Sequence, residues 1–174
     1  GAHDCMFIHL TLLPYLRASG ELKSKPTQQS VGKLREIGIQ PHVLICRTEV
    51  AMDKDMAKKI SLFCNVRPEA VIEEKDVDFS IYEVPMMLIE SGLDQRILKH
   101  LELKPTKKLV TDDWQQLLKV VKHPQHEITI AVTGKYIELH DAYKSIYESL
   151  SHAGIANHCK VNLRKVSAEQ VAEE

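Results

Sequence analysis

Apolar and polar positions follow two different periods along the first part of the chain, and each change of period predicts a new element. Residues 6–13 form an apolar run with β-branched and aromatic members, which predicts a strand buried on both faces. Residues 30–37 have apolar side chains at helical spacing, and Gly38 is placed to end that helix. A second apolar run at 42–46, ending at Arg47, predicts the next strand. Strand, helix and strand in so few residues indicate a βαβ unit and therefore a parallel sheet.

The same alternation continues beyond this unit. Residues 53–64 have the helical period, and residues 70–72 predict a short strand. That strand leads into a charged loop at 73–78, where the carboxyl ends of strands in open α/β sheets usually present ligand-binding groups. Two further helices are predicted at 80–90 and 93–101.

The pattern changes at residues 102–127, where prolines and lysines flank one short helix at 112–121 that carries the only tryptophan. This composition predicts a linker with an anchoring helix. A strand at 128–132, a helix at 141–152 and a strand at 161–163 then predict a second βαβ unit. The fold class is therefore α/β, with the start of a second α/β domain after the linker.

Both ends of the sequence are unusual for a domain. An apolar strand is predicted within about five residues of the first position, whereas natural domains usually begin and end with exposed segments. The chain stops on an acidic, helix-prone stretch at 168–174. We expect the sequence to be a piece of a longer protein.

Composition narrows the class of protein. The formal net charge is −1 and the charges are interspersed, so nothing indicates electrostatic binding to nucleic acid. The four cysteines are far apart and form no CxxC pair, which favours reduced thiols in a cytoplasmic protein. The apolar run at 5–16 is too short and too polar to span a membrane.

The segment at residues 20–28, here called the lysine segment, is the main candidate site. It is predicted to connect a buried strand to a helix whose first turn is favoured by Pro26 and capped or begun by Thr27. The ammonium groups of Lys23 and Lys25 and free backbone N–H donors would meet where the helix dipole favours an anion. The residues therefore indicate a phosphate or polyphosphate site, although an ordinary solvated surface loop remains the alternative.

Other sites of known pattern are absent from the sequence. It contains no GxxxxGK[ST], GxGxxG, HExxH or GxSxG motif. His123 and His126 lack the further ligands of a tetrahedral site at a known spacing, so no metal site is predicted. His9, inside the first apolar run, is interpreted as a hydrogen-bonded core histidine.

Several strings of residues, taken in order, resemble the CTP synthase family. They occur at residues 7–11, 20–28, 37–41, 45–47, 63–66, 75–78, 134–139 and 141–145, and they are spread over almost the whole chain. The family joins an amidoligase domain to a class I glutaminase domain. It converts UTP to CTP by ATP-dependent amination, with glutamine or ammonia as the nitrogen donor.

The resemblance implies a domain organisation. Residues 1–104 would be the C-terminal part of a Rossmann-like, P-loop-NTPase-like amidoligase domain with a parallel sheet. Residues 105–126 would be the interdomain linker, and residues 127–174 the first βαβ unit of the glutaminase domain. The family also implies ATP and Mg²⁺ in the full-length enzyme, UTP, CTP and possibly GTP as ligands, and a homotetramer, with no nucleic acid or membrane partner.

The resemblance also assigns site residues. Those matching the family's UTP and CTP site are Lys23, Ser24, Lys25, Pro26, Thr27, Gln28 and Lys59, with Lys59 preferred to its neighbour Lys58. Those matching the ATP site are Arg47, Lys75, Asp76 and Val77, and Lys144 matches a position linked to the activator GTP. From the residues alone, Arg47 could equally cap a sheet end and Asp76 could merely turn a loop.

The departures from the family pattern concern single residues and whole motifs. Ser24 stands in place of a threonine, and Phe79 resembles an insertion after Asp78. The family's glycine-rich ATP loop, its magnesium-binding carboxylates and its glutaminase cysteine with its partners are missing from this sequence. No catalytic residue is therefore expected here, and this piece is expected to be inactive alone. The alternative is a non-catalytic nucleotide-binding or subunit-assembly module.

Overall fold

Strands and helices alternate along residues 4–169, the part of the chain that the computed structural model describes. In order they are β1 (Ile8–Leu12), β2 (Tyr15–Leu16), β3 (Glu21–Leu22), α1 (Lys25–Glu36), β4 (Val43–Thr48), α2 (Lys54–Cys64), β5 (Val71–Lys75), α3 (Val84–Glu90), α4 (Leu93–His100), α5 (Asp112–Lys122), β6 (His126–Gly134), α6 (His140–Ala156) and β7 (Cys159–Ser167). Short 3-10 turns precede β5 (Pro68–Ala70) and α3 (Ile81–Glu83). Most of the predicted acidic tail, residues 170–174, lies outside the described residues.

The chain forms two compact units, Gly1–Lys108 and Leu109–Glu174. The first contains a three-stranded sheet in the order β1-β4-β5, in which both pairings are parallel. The second contains β6 paired in parallel with β7, with α6 between them in the chain. The parallel sheets predicted from the two βαβ patterns are therefore confirmed.

The core of the first unit is centred on β4. Val43, Leu44, Ile45 and Cys46 are all buried, as expected for the middle strand of a parallel sheet covered on both faces. Side chains from three helices complete this core, including Val31 from α1, Ile60 and Cys64 from α2, and Leu93 from α4.

The prediction that the first strand is buried on both faces is wrong. Leu10 and Leu12 are 62% and 60% exposed, because β1 is an edge strand and only one of its faces packs against α1. On that face, the His9 Nε2 and Ser30 Oγ atoms share a hydrogen bond of 2.8 Å, and Thr11 is buried. His9 is therefore hydrogen-bonded, as predicted, although it is only half-buried.

The lysine segment has more structure than the sequence pattern predicted. The antiparallel pair β2–β3 precedes the helix, and its turn places Gly20 at φ +64°, a conformation that side chains with a Cβ rarely adopt. Helix α1 begins at Lys25, close to the first turn predicted at Pro26 and Thr27, although the N-cap is Ser24 and not Thr27. The preset φ of proline favours a helix start at this position.

The elements of the second unit are longer than predicted, but their type and order are as expected. Gly154 allows α6 to lie close to β7, since a Cβ at this position would be 2.7 Å from the Cys159 carbonyl oxygen. Within residues 4–169, no helix is both long and apolar enough to cross a membrane.

The four cysteines provide a test of this core. All four are free, and Cys46, Cys64 and Cys159 are buried while Cys5 is exposed. Burial raises the pKa of the Cys46 thiol to about 12, which leaves very little reactive thiolate near neutral pH. We expect a disulfide-exchange reagent such as DTNB to modify one thiol rapidly in the folded chain and all four after denaturation.

The matched variant is Cys5→Ser, which should abolish the rapid phase and leave the slow one. Rapid modification of Cys46 or Cys64 in the folded protein would contradict the packing described for β4 and α2, and rapid modification of Cys159 would contradict its burial on β7.

Candidate functional site

The three strands of the first sheet end at one edge, because all of them run in the same direction. Their extensions are tied together by backbone hydrogen bonds. The Leu13 N–H donates to the Arg47 carbonyl oxygen at 2.8 Å, and the Asp76 N–H donates to the Thr48 carbonyl oxygen at 2.8 Å. This carboxyl edge is where open α/β sheets bind ligands.

The lysine segment is anchored to this edge through groups that are themselves buried. The Thr27 hydroxyl donates to the Leu12 carbonyl oxygen at 3.1 Å, and the Thr27 side chain is completely buried. The Lys23 backbone N–H donates to the Pro14 carbonyl oxygen at 2.9 Å. Thr27 therefore fixes the start of α1 against β1, and its hydroxyl is a positioning group rather than an exposed donor.

Some polar side chains around the first turn of α1 hydrogen-bond to each other within the lysine segment. The Gln28 side-chain amide donates to the Ser24 hydroxyl oxygen at 3.0 Å, and Ser24 is buried. Lys25 and Pro26 are exposed, and the Lys25 ammonium makes no hydrogen bond or ion pair with the residues that the structure describes. One cation is thus left available beside the helix start.

The two adjacent lysines of α2 have different surroundings. The Lys58 ammonium pairs with Asp55 of its own helix at 3.3 Å. Lys59 instead has an electrostatic effect on Glu21, which belongs to β3 within the lysine segment. The pKa of the Glu21 carboxyl is lowered, chiefly by its hydrogen bond and ion pair with Lys23 and also by the positive charge of Lys59. Two cations from separate elements therefore act on one exposed carboxylate.

The beginnings of the two helices at this edge differ in their caps. Asp53 caps α2, with its carboxylate accepting a hydrogen bond from the Met56 N–H at 2.7 Å. The N-cap of α1 is Ser24, which makes no side-chain capping bond, and the first turn of α1 contains no acidic residue. The start of α1 therefore keeps its capacity to attract an anion, whereas Asp53 already supplies one to α2.

A second group of polar side chains follows β4 and β5 at the same edge. The Arg47 Nε donates to the Asp76 carboxylate at 2.8 Å, and both side chains are partly exposed. Lys75 is exposed and makes no ion pair with any residue among 4–169, while Val77 is half-buried. Burial raises the pKa of the neighbouring Glu74 carboxyl, against the opposing effect of Arg47. The structure thus joins Arg47 to Asp76 directly.

The remaining predicted site residue belongs to the second unit. Lys144 is an exposed residue of α6. For the described part of the chain, no group of three or more histidine, cysteine, aspartate or glutamate side chains is arranged to hold a metal ion.

The sequence analysis missed two carboxylates that organise the site. Glu21 is the internal partner of the lysine segment, and the Glu73 carboxylate accepts a hydrogen bond from the Met52 backbone N–H. Glu21 could have been found from its position two residues before Lys23 on an extended strand, where both side chains lie on one face. Glu73 gives no such signal, because its partner is a backbone group in a distant loop.

The family model and the individual relatives that match this chain all belong to one family. The family model described as CTP synthase N-terminus matches residues 1–103. The CTP synthase of Fibrobacter succinogenes is 51% identical over 173 residues, which make up 98% of this chain and 30% of that protein. The CTP synthase of Methylorubrum extorquens is 51% identical over 168 residues, or 97% of this chain and 31% of that protein.

A more distant relative extends the match to the full sequence. The CTP synthase of Clostridium acetobutylicum is 47% identical over 174 residues, which are 100% of this chain and 32% of that protein. The chain therefore spans about a third of the length of the curated relatives it matches.

The electrostatic arrangement around Glu21 generates a prediction. A polyanion that binds Lys23 and Lys59 must compete with the Glu21 carboxylate. We expect Glu21→Gln to strengthen binding of inorganic tripolyphosphate by roughly two- to fivefold, the scale of one solvent-exposed ion pair. Isothermal titration calorimetry at low salt measures this effect.

The matched control is Glu36→Gln, which removes the Lys33 partner at the other end of α1 without touching the lysine segment. An equal gain in both variants, or a loss of affinity in Glu21→Gln, would show that Glu21 does not compete with the polyanion.

Proposed function

The chain belongs to the CTP synthase family, and from that premise we propose that it forms the part of the enzyme that binds the triphosphate of UTP and of the product CTP. The whole enzyme would then be an ATP-dependent ligase that aminates UTP, with glutamine or ammonia as the nitrogen donor. The observation that carries the proposal is the uncapped start of α1, with the exposed Lys25 and the Lys23–Glu21 ion pair beside it. Lys59 adds a smaller electrostatic effect on Glu21.

The charge balance of the site supports a polyphosphate ligand. Lys23, Lys25 and Lys59 supply three cations, and Glu21 is the carboxylate that the first of them pairs with. A bound triphosphate would replace Glu21 as the counter-ion and also accept hydrogen bonds from backbone N–H groups at the start of α1. Ser24, Thr27 and Gln28 would hold that start in place through the hydrogen bonds described above.

The group at Arg47, Lys75, Asp76 and Val77 is assigned to ATP in this proposal. Its location at the ends of β4 and β5 puts it on the same sheet edge as the lysine segment. Phosphoryl transfer depends mainly on positioning and on charge around the phosphates, so two nucleotide sites on one edge suit a reaction between two nucleotides. No step through Mg²⁺ is derived, because the described residues offer no metal-binding cluster.

The domain assignment remains part of the proposal. Residues 1–104 would contribute to a P-loop-NTPase-like amidoligase domain, residues 105–126 to the linker and residues 127–174 to the glutaminase domain. Lys144 would act in the response to GTP. The exposed apolar face of β1, with Leu10 and Leu12, would be covered by the parts of the enzyme outside this chain, since it spans about a third of its relatives.

The two lysines of α2 provide a direct test of the triphosphate site. We expect Lys59→Ala to weaken calorimetric binding of CTP by roughly five- to thirtyfold, or about 1–2 kcal/mol, because one charge-assisted hydrogen bond is lost. Lys58→Ala should leave the affinity unchanged, because Lys58 pairs with Asp55 and not with the site. Equal affinities for CTP in the two variants would remove Lys59 from the proposed site.

A second prediction concerns whether this chain is catalytically active by itself. The chain alone should form no CTP from UTP, ATP, Mg²⁺ and ammonia, because the family's glycine-rich ATP loop and its magnesium-binding carboxylates are missing from its sequence. Measurable turnover that disappears in the Lys59→Ala variant would show that the catalytic groups are present here after all.

A further inference from the structure

A cavity of about 560 Å³ opens at the edge of the sheet opposite the lysine segment. Its wall includes His42, the residue before β4, and Glu69, in the 3-10 turn before β5. Helix α4 forms another part of the wall. A volume of this size lies within the ordinary range of about 300–1,000 Å³ for small-molecule sites. Neither predicted nucleotide site includes any residue of this wall.

The charges around this cavity are unbalanced. Arg67, Arg96 and Lys99 line it, while Glu69 is the carboxylate in its wall. None of the three cations has an ion pair or hydrogen bond from its side chain to a residue within 4–169. Three positive charges against one negative charge leave an excess of two, without counting the histidines. Such an excess in a concave site favours an anionic ligand.

One of these cations has a donor that the protein leaves without an acceptor. The Arg96 Nε is buried and makes no hydrogen bond. A buried donor that lacks a partner destabilises the protein, and such donors are rare in native structures. Arg96 also lines the cavity, so its guanidinium, whose Nε has no acceptor among the described residues, lies beside the space that a ligand would occupy.

His42 contributes a further donor of defined tautomer. The Phe7 backbone N–H donates to the His42 Nδ1 at 2.9 Å, so the neutral ring carries its hydrogen on Nε2. The Phe7 ring stacks on the imidazole with centroids 5.7 Å apart, which fixes its orientation. Burial and the nearby His100 lower the pKa of His42, so that the neutral form is favoured.

The cavity wall is fixed before any ligand binds. The Gln40 side-chain amide donates to the carbonyl oxygens of Cys64 and Asn65 at 3.2 and 3.1 Å. These bonds join the segment before β4 to the end of α2. A preformed wall keeps the cations in position without a separate ordering step.

We propose that this cavity binds a small organic phosphate monoester, with the phosphate group among Arg67, Arg96 and Lys99. A phosphate monoester has a charge of about −1.5 to −2 near pH 7, which matches the excess of two positive charges, whereas a monocarboxylate leaves one unmatched. Its several acceptor oxygens suit the guanidinium of Arg96 and the Nε2 donor of His42, since both residues line the cavity. The cavity is larger than one phosphate group, and the remaining space receives the organic part.

The experiment follows the imidazole resonances of the chain by NMR during titration with glycerol 3-phosphate. The His42 signal is assigned by its loss in His42→Gln. Because His42 lines the cavity, its signal reports on this site and not on the lysine segment. The titration uses a Lys23→Ala, Lys59→Ala background, so that phosphate bound at the other edge does not contribute. Inorganic phosphate and acetate are titrated in parallel at constant ionic strength.

We expect a saturable shift of the His42 signal with glycerol 3-phosphate and no comparable shift with acetate. Arg96→Gln should weaken this binding by about tenfold, the effect of losing one hydrogen bond between charged groups. Lys99→Gln changes an exposed residue, so it tests the site without disturbing the fold, and it should weaken binding by roughly threefold. Lys58→Gln, at a residue that does not line the cavity, is the matched control and should change nothing.

Three outcomes would overturn the proposal. A linear, non-saturating shift, or an equal shift with acetate, would mean that only ionic strength is sensed. Unchanged affinity in both Arg96→Gln and Lys99→Gln would exclude the cation cluster as the site. Inorganic phosphate binding as tightly as glycerol 3-phosphate would refute the monoester and leave a site for free phosphate.

Discussion

The parallel pairing of β4 with a strand on each side is the constraint on which the rest of this structure depends. It brings the carboxyl ends of β1, β4 and β5 to one edge and their amino ends to the other. Each strand end therefore has a chemical neighbour that is distant in the sequence, as when the Leu13 N–H meets the Arg47 carbonyl. The buried residues of β4 stabilise this pairing, and the polar groups at both edges are positioned by it. Function at either edge thus depends on the same core.

The cations at the two edges of the sheet differ in how far neighbouring carboxylates balance their charge. At the carboxyl edge, Glu21 lies within the influence of both Lys23 and Lys59, and this internal counter-ion reduces their mutual repulsion. The groups are exposed and screened by water, so the stabilisation is small and a ligand can replace the carboxylate. At the amino edge, Glu69 accompanies three cations and the Arg96 Nε has no acceptor. A ligand there would add a partner instead of exchanging one.

The sequence was sufficient for the type and order of the longer elements because periodicity reports directly which side chains face a core. It predicted both βαβ units and the bounds of α2 to within one residue. It failed for β1, since an apolar run has the same pattern whether its second face is covered by this chain or by another segment. It also failed for Glu21 and for Arg96, whose roles follow from neighbours that only the folded chain brings together.

The exposed apolar face of the edge strand β1 is a surface that other parts of the whole protein would cover. Leu10 and Leu12 alternate with buried Thr11, so the exposed face of β1 is a continuous apolar row rather than a set of isolated side chains. The strand also lacks a neighbour on one side, which leaves backbone donors and acceptors open to pairing. Natural edge strands usually avoid this combination with charges, proline or a covering element. In a chain spanning about a third of its CTP synthase relatives, such a face is most simply explained as an internal surface of the whole enzyme. The proposed nucleotide edge beside it then lies where parts of the whole protein outside this chain can complete the site.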